Sequence, residues 1–285
     1  MQHGIIPSYD GKCYHQPVNT AGHTKAAMPM ESATAGRRVE PFDYQAAPVV
    51  VRPDIAEAHR KAWQRLARAG NWWSGAERIA IAAEMRGART CSVCRDRKAA
   101  LSPAAVDREH ESCTDLPKPA IDAIHRMSTD PGRLTKAWYE SKLETGLTPE
   151  QYVEIVGVVV TVISVDTFHL ALGLPLEPLP EPVPGEPTRY RPPGATQEGA
   201  WVPTIPSDRL TEAEADIYHG SRGFYVIRAM SLVPDEVRML DTLSKAHYLP
   251  HKQVGDPASS GNRAISRPQI ELLAARVSAV NQCFY

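Results

Sequence analysis

The feature that most constrains this chain is a helix-start signal that occurs four times along it. In each case a Ser or Thr is followed three residues later by Glu or Gln, which is the spacing of a capping box. The four pairs are Ser74 and Glu77, Thr148 and Gln151, Thr211 and Glu214, and Ser266 and Gln269. Capping boxes begin α-helices, so four separate helices are predicted and the fold class is expected to be all-α.

One apolar segment is compatible with either a helix or a strand. The run from Ile155 to Val165 is rich in Val and Ile, residues that favour buried strands. The capped segment around it extends from Thr148 to Leu172, far beyond a typical strand of about 5 to 6 residues. We therefore predict a helix. The charge-free run of 11 residues is shorter than the ~20 that a membrane span needs, so no membrane segment is expected.

Composition divides the chain into four parts. Residues 1 to 40 contain scattered Gly, Pro, His and Ser without periodicity, which is typical of a disordered tail. A first helical unit is expected over residues 41 to 172 and a second over residues 207 to 285. Between them, residues 173 to 206 are rich in proline and are predicted to form a linker.

Charge and cysteine usage narrow the partners and the compartment. The net charge is -1, from 32 basic and 33 acidic residues without a long run of either sign, which argues against a nucleic-acid or membrane surface. The N-terminus lacks the apolar run of a signal peptide. Five cysteines are an odd number in a chain too large to need disulfides for stability, so a reducing cytoplasm is expected.

The last predicted helix leads into a motif of redox-active residue types. Glu271 lies twelve residues before Cys283, and Tyr285 follows that cysteine by two. These residues resemble the first half of the motif of the alkylhydroperoxidase D-like and carboxymuconolactone decarboxylase-like family, which is Glu, eleven residues, then Cys-x-Tyr-Cys-x-x-x-His. The second Cys and the His of the motif would follow Tyr285, so the chain is expected to stop inside the motif.

An earlier segment repeats part of this pattern. The spacing from Ser74 to Cys91 equals the spacing from Ser266 to Cys283, and Cys91 begins a Cys-x-x-Cys sequence that ends at Cys94. Together with the resemblance, this predicts two alkylhydroperoxidase D-like helical repeats, of which the second is incomplete at its motif.

The resemblance implies an enzyme that reduces hydroperoxides with cysteine thiols. In that mechanism the second cysteine of the motif attacks the peroxide, the first resolves the product as a disulfide, and a lipoyl-type or thioredoxin-type dithiol reduces it. Cys94 and Cys91 take these roles in the first copy. In the second copy Cys283 is the resolving thiol, Glu271 the relay acid and Tyr285 a supporting residue. The resemblance also implies a homo-oligomer, and no metal or organic cofactor is required.

The first copy departs from the family motif. Lys98 stands where the motif has His, and a lysine lowers a nearby thiol pKa but cannot accept a proton at neutral pH. Glu84, seven residues before Cys91, is either a relay acid or the partner of a salt bridge. Isolated histidines, such as His125 and His169, need no role beyond packing.

Two other functions stay open. Cys91, Cys94, His110 and Cys113 have spacings that a structural zinc site could use, which would suit a non-enzymatic helical protein. Lactone decarboxylation, the other activity of the family, is the alternative within enzymes.

The position at which the motif stops has two explanations. A UGA codon that encodes selenocysteine directly after Tyr285 would be read as a stop, and a selenol attacks peroxide faster than a thiol. A nonsense mutation or the end of a sequenced segment is the other explanation. The nucleotide sequence after Tyr285 distinguishes them.

Overall fold

The fold is built from α-helices, as the capping signals predict. A computed structural model of the protein describes residues 41 to 220, 223 to 281 and 283, and within these ranges it has no strand beyond an isolated bridge between Thr196 and Thr204. The predicted tail and Tyr285 lie outside the described residues. The helices are α1 (Pro53–Leu66), α2 (Gly75–Gly87), α3 (Ser92–Ala99), α4 (Lys118–Thr129), α5 (Lys136–Glu144), α6 (Pro149–Ala171), α7 (Tyr225–Arg228), α8 (Pro234–His247), α9 (His251–Val254) and α10 (Arg267–Val280).

Three of the four capping boxes begin an α-helix. Ser74, Thr148 and Ser266 are the N-caps of α2, α6 and α10. In each box the side chain of the cap residue pairs with the backbone N–H three positions later, and the Glu or Gln side chain there accepts from the backbone N–H of the cap residue. The fourth box also forms, but the segment after Thr211 is only a short 3-10 turn, Glu212–Glu214. The predicted helix there is wrong, because the Glu214 side chain is buried and also binds the Tyr190 hydroxyl, and no apolar stripe follows it.

The apolar segment is the central helix α6. It packs against α2, α4 and α8, and Ile155, Val158, Val162 and Val165 are buried. By length and composition alone this 23-residue helix could cross a membrane, but 61% of its most apolar window is buried inside the protein. Its carboxylates pair with arginines of α2: Asp166 binds Arg86 at 2.7 Å. These features are typical of a core helix.

The Pro-rich segment lies against the first helical unit. The backbone N–H groups of Val183, Thr188 and Arg189 donate to the carbonyls of Ala67, Gly70 and Asn71, which follow α1. Ile205 is fully buried. Helix α8 packs on α1 and α6, and one hydrophobic cluster contains residues from both predicted units. The units therefore share a core.

A buried ionic group joins three helices. Arg78 of α2 donates from Nη1 to Glu154 Oε1 of α6 at 2.5 Å and to Glu236 Oε1 of α8 at 2.8 Å. All three side chains are at most 2% exposed. Because a charge that lost its partner here would be stranded in the core, this group specifies how the three helices meet.

Helix α10 packs loosely by comparison. Of its residues only Ile270 is buried, whereas Leu272, Leu273, Val277 and Val280 are each more than half exposed. The corresponding helix of the first unit, α2, buries six residues. Helix α10 shares a capping box with α2 but not its burial, and the two-repeat organisation stays a prediction.

Candidate functional site: a cluster of two thiols and two imidazoles

Two cysteines and two histidines converge beside α3. Cys91 is the N-cap of α3 and Cys94 lies in its first turn, so their side chains share one side of the helix. His110 comes from the loop that follows α3, and His125 comes from α4. The two sulfurs and one nitrogen of each histidine all lie within 4.8 Å of one another. We call these four residues the Cys/His cluster.

The distances within the cluster are short. Cys94 Sγ lies 3.2 Å from His125 Nδ1 and 3.4 Å from His110 Nδ1, and Cys91 Sγ lies 3.7 Å from His110 Nδ1. Both cysteines are nearly inaccessible, with 2% and 3% exposure. Each sulfur is therefore in contact with an imidazole and shielded from water.

Glu84 sets the tautomer of His125. This buried α2 carboxylate lies 2.9 Å from His125 Nε2 and also accepts from Ser112, Thr114 and the Cys113 backbone. Burial by itself would raise the pKa of Glu84, but these hydrogen bonds outweigh burial and lower that pKa to about 2. An ionised carboxylate can only accept, so His125 donates from Nε2 to Glu84 and turns Nδ1 toward Cys94.

Asp122 is the carboxylate next to Nε2 of His110, as Glu84 is for His125. Its Oδ1 atom lies 2.9 Å from His110 Nε2, and its Oδ2 atom lies 2.7 Å from Lys142 Nζ. Burial would raise the pKa of Asp122, but the hydrogen bonds from His110 and Lys142 hold it well below its usual range. Burial also lowers the pKa of His110, which keeps the imidazole neutral. Arg97 Nη1 lies 3.0 Å from the same His110 Nε2 atom, so a guanidinium as well as a carboxylate lies behind this imidazole.

The Cys94 thiol is protonated in this environment. Burial, helped by the neighbouring Cys91 and opposed by a hydrogen bond from Thr129, raises its pKa to about 12. The cluster at neutral pH therefore contains a protonated Cys94 thiol beside two imidazoles, each of which has a carboxylate at its other nitrogen. A base can remove the Cys94 proton only when negative charge on sulfur is stabilised by a bond to a metal or an electrophile.

The structure places the other predicted site residues outside the cluster. Lys98 is exposed on α3. Glu271 binds the Tyr248 hydroxyl and Arg267 Nε, both at 2.6 Å, and Cys283 is exposed. Cys113, expected as a zinc ligand, is replaced in the cluster by His125, because its backbone N–H is bound to Glu84 and its sulfur faces Gly87.

His125, expected to need no role beyond packing, contacts both Cys94 and Glu84 in the structure. Glu84, predicted as either an acid or a salt-bridge partner, pairs with this histidine. Asp122 was not predicted at all. One sequence signal could have indicated Asp122 and His125 as site residues. They are three residues apart on α4, which places them on one face of the helix.

Comparisons with known proteins give no assignment, since no protein family, curated protein or solved structure matches this chain. The family resemblance rests on the motif residues alone. What the cluster does is accordingly inferred from its geometry.

Proposed function

We propose that the protein reduces hydroperoxides with the thiols of Cys94 and Cys91. The observation that carries this proposal is a continuous chain of contacts from a thiol through an imidazole to a carboxylate. Cys94 Sγ lies 3.2 Å from His125 Nδ1, and His125 Nε2 lies 2.9 Å from Glu84. A nucleophile, a base and a group that orients the base are the parts of an activated cysteine. His125 and Glu84 take the place of the proton relay that Lys98 cannot provide.

In the attack, the Cys94 sulfur forms a bond to one peroxide oxygen while the O–O bond breaks. His125 takes the thiol proton at Nδ1 and delivers it to the departing oxygen, which leaves as an alcohol or water. Cys94 is oxidised to a sulfenic acid. Glu84 stays ionised and stabilises the imidazolium that forms in between. Because the pKa of Cys94 is raised, its proton leaves only as the new sulfur–oxygen bond forms.

Cys91 completes the cycle. Its sulfur belongs to the same cluster, so it can attack the sulfenic acid, form a disulfide with Cys94 and release water. An external dithiol, of the lipoyl or thioredoxin type, then reduces this disulfide by exchange and is itself oxidised. Electrons therefore pass from the dithiol to the peroxide. A reducing cytoplasm would supply the donor, and the expected homo-oligomer belongs to this proposal as well.

The test is peroxide turnover with dihydrolipoamide as the donor. Cys94→Ser is expected to abolish turnover, and His125→Gln to lower kcat/KM about 100-fold or more because the base is lost. Cys283→Ser is the matched control: it removes an exposed cysteine outside the cluster and should leave turnover unchanged. Turnover that survives Cys94→Ser, or its absence from the wild-type protein after reduction and removal of metal, would refute the proposal.

A second candidate is a structural zinc site at the same four residues. The observation that favours it is the second imidazole, which a thiol peroxidase does not need. Zn–S bonds of about 2.3 Å and Zn–N bonds of about 2.0 Å place tetrahedral ligands roughly 3.3 to 3.8 Å apart. Three of the sulfur–nitrogen separations in the cluster are 3.2 to 3.7 Å, and all four donor atoms lie within 4.8 Å of one another. Carboxylates behind both histidines are the usual support of zinc-bound imidazoles.

Metal content separates the two candidates. We expect a zinc protein to retain one zinc per chain after purification without chelator, and to lose it in His125→Gln and Cys94→Ser but not in Cys283→Ser. A chelator should then lower its melting temperature. The thiol peroxidase instead becomes more active when metal is removed, because a bound metal would occupy both sulfurs. Stoichiometric zinc together with no turnover in the metal-free protein assigns the cluster to zinc.

A further inference from the structure

A broad cleft opens next to the Cys/His cluster. It has a volume of about 910 Å³ and is bordered by the loop after α3 and by α4 and α5. His110 and Asp122, which belong to the cluster or support it, also line the cleft. More basic than acidic side chains surround it, which makes it attractive to an anion. The basic residues are Arg97, Arg108, Lys118, Arg126, Arg133 and Lys142.

Arg126 is the unusual member of this set. Only 7% of it is exposed, yet no carboxylate of the described residues lies within salt-bridge distance of its guanidinium. Its one hydrogen bond there is a long one, from Nη2 to the Arg133 carbonyl at 3.4 Å, and its Nε atom has no partner. Burying a cation without a counter-ion is unfavourable, because the charge loses its hydration. Arg126 therefore lacks the counter-ion that its position calls for.

The nearest carboxylates are already engaged elsewhere. Asp130 binds Arg133 at 2.7 Å, and Asp122 binds Lys142 and His110. Burial lowers the pKa of Arg126, and so do Arg97 and Arg133, whereas Asp122 and Asp130 oppose them. Arginine nonetheless stays charged in proteins. A ligand is the remaining source of negative charge at this point of the cleft.

The apolar side chains that line the cleft indicate that the rest of that ligand is apolar. The Trp138 ring lies 5.3 Å from the Arg126 guanidinium carbon, and Leu116 and Ile121 line the cleft on the α4 side. An anion on Arg126 would place its attached carbon chain against these apolar side chains. The site therefore combines one charged anchor with an apolar surface.

We propose that this cleft binds a small organic carboxylate, with the carboxylate on Arg126 and an apolar body against Trp138. The guanidinium fork of Arg126 matches a carboxylate, whose two oxygens can accept from two guanidinium nitrogens at once. Trp138 holds the apolar part and orients Arg126 through its ring face. This site does not depend on the thiol chemistry, and its test uses binding rather than turnover.

The experiment is calorimetric titration of the protein with hexanoate, with hexanol as the uncharged analogue and inorganic phosphate as an anion without an apolar body. Hexanoate is expected to bind more tightly than both. Arg126→Gln should weaken hexanoate binding about 30-fold or more, since one partner of a desolvated ion pair is lost. Arg126→Lys should fall between, because it keeps the charge without the fork. Arg95→Gln, on the exposed side of α3, is the matched control and should bind as the wild type does.

Folding of the variants is checked by their melting temperatures. Without ligand, Arg126→Gln should melt no lower than the wild type, because a buried unpaired charge is removed. Addition of hexanoate should raise the melting temperature of the wild type but not of this variant. Hexanoate binding that Arg126→Gln leaves unchanged, or no binding by the wild type, would overturn the proposal. Phosphate binding tighter than hexanoate would reassign the cleft to a phosphate-bearing ligand and would equally refute the carboxylate.

Discussion

Gly157 shows how a single residue supports the buried ionic group. It lies within α6, directly opposite the Glu236 side chain, and a methyl group added there would come within 2.7 Å of Glu236 Cβ. In an ordinary helix interior, alanine is favoured over glycine by about 1 kcal/mol. Glycine is required here because the carboxylate that binds Arg78 occupies the space that a side chain would need.

We predict that Gly157→Ala destabilises the protein despite its better helix propensity. The displaced Glu236 would no longer reach Arg78, and a broken buried ion pair costs more than the propensity gain, so the net loss is about 2 to 4 kcal/mol. Urea unfolding measures it. Gly132→Ala is the control, because no atom lies within 4 Å of the added methyl group. Equal stability of the two variants would show that Glu236 moves aside at no cost.

At the scale of the helix, α6 is buried within the core, whereas α10 lies mostly exposed beside it. Both begin with a capping box, and both are rich in apolar residues. Helix α6 is covered on several sides by α2, α4 and α8, whereas α10 contacts the rest of the described chain through Ile270 and the Arg267 and Glu271 side chains. Most helical stability comes from tertiary packing rather than from capping, so the two helices should differ in stability.

Amide hydrogen exchange should show this difference. We expect rapid exchange across Ile270 to Val280 and strong protection across Ile155 to Val165, since local opening of α10 exposes little additional apolar surface. Peptide-level mass spectrometry at several protein concentrations measures both segments in one sample. Protection of α10 that equals that of α6 would contradict the expectation, and protection that increases with concentration would indicate that a second copy covers its exposed leucines and valines.

At the scale of the whole molecule, a histidine group ties together segments that are distant in the chain. The Tyr44 hydroxyl binds His59 Nδ1 of α1 and lies 3.0 Å from His169 Nε2 of α6. His59 Nε2 is 2.6 Å from His247 Nε2 of α8. His59 is fully buried, and burial, followed by the neighbouring His247 and His169, lowers its pKa to about 3. Burial therefore keeps His59 neutral in the folded protein at neutral pH.

The protein should therefore lose stability in mild acid. The pKa of His59 is lower in the folded chain than in the unfolded one, where it is about 6.5. The unfolded state thus binds the extra proton, and stability that is complete above pH 6.5 falls as the pH decreases toward 3. Between pH 6.5 and 5 we expect a loss of about 1.5 to 2 kcal/mol from this group.

His59→Gln is the variant that isolates this contribution, because it keeps a polar side chain that does not titrate. Its unfolding free energy should change less between pH 6.5 and 5 than that of the wild type, by the amount given above. Glu84, with its pKa lowered to about 2, contributes a further loss only below its ordinary pKa of 4.5, so it does not contribute between pH 6.5 and 5. Parallel pH profiles of variant and wild type would contradict the assignment.

The sequence by itself determined where three of the ten described α-helices begin and what class of fold they form. Capping boxes depend on residues three positions apart, and the length of the apolar run around Ile155 excluded a strand, so both signals are contained in local spacing. The box at Thr211 is the exception, because a cap begins a helix only where the residues after it have an apolar face to bury.

Only the tertiary structure decided which residues meet at the cysteines. Cys94, His125 and Glu84 lie on three different helices, and their separation in sequence carries no periodic signal, so their contact depends on how α2, α3 and α4 pack together. The same packing excluded Cys113 from the cluster by binding its backbone to Glu84. Arg126 was likewise an ordinary helical arginine in the sequence. Its significance comes from burial without a counter-ion, and burial is a property of the folded chain alone.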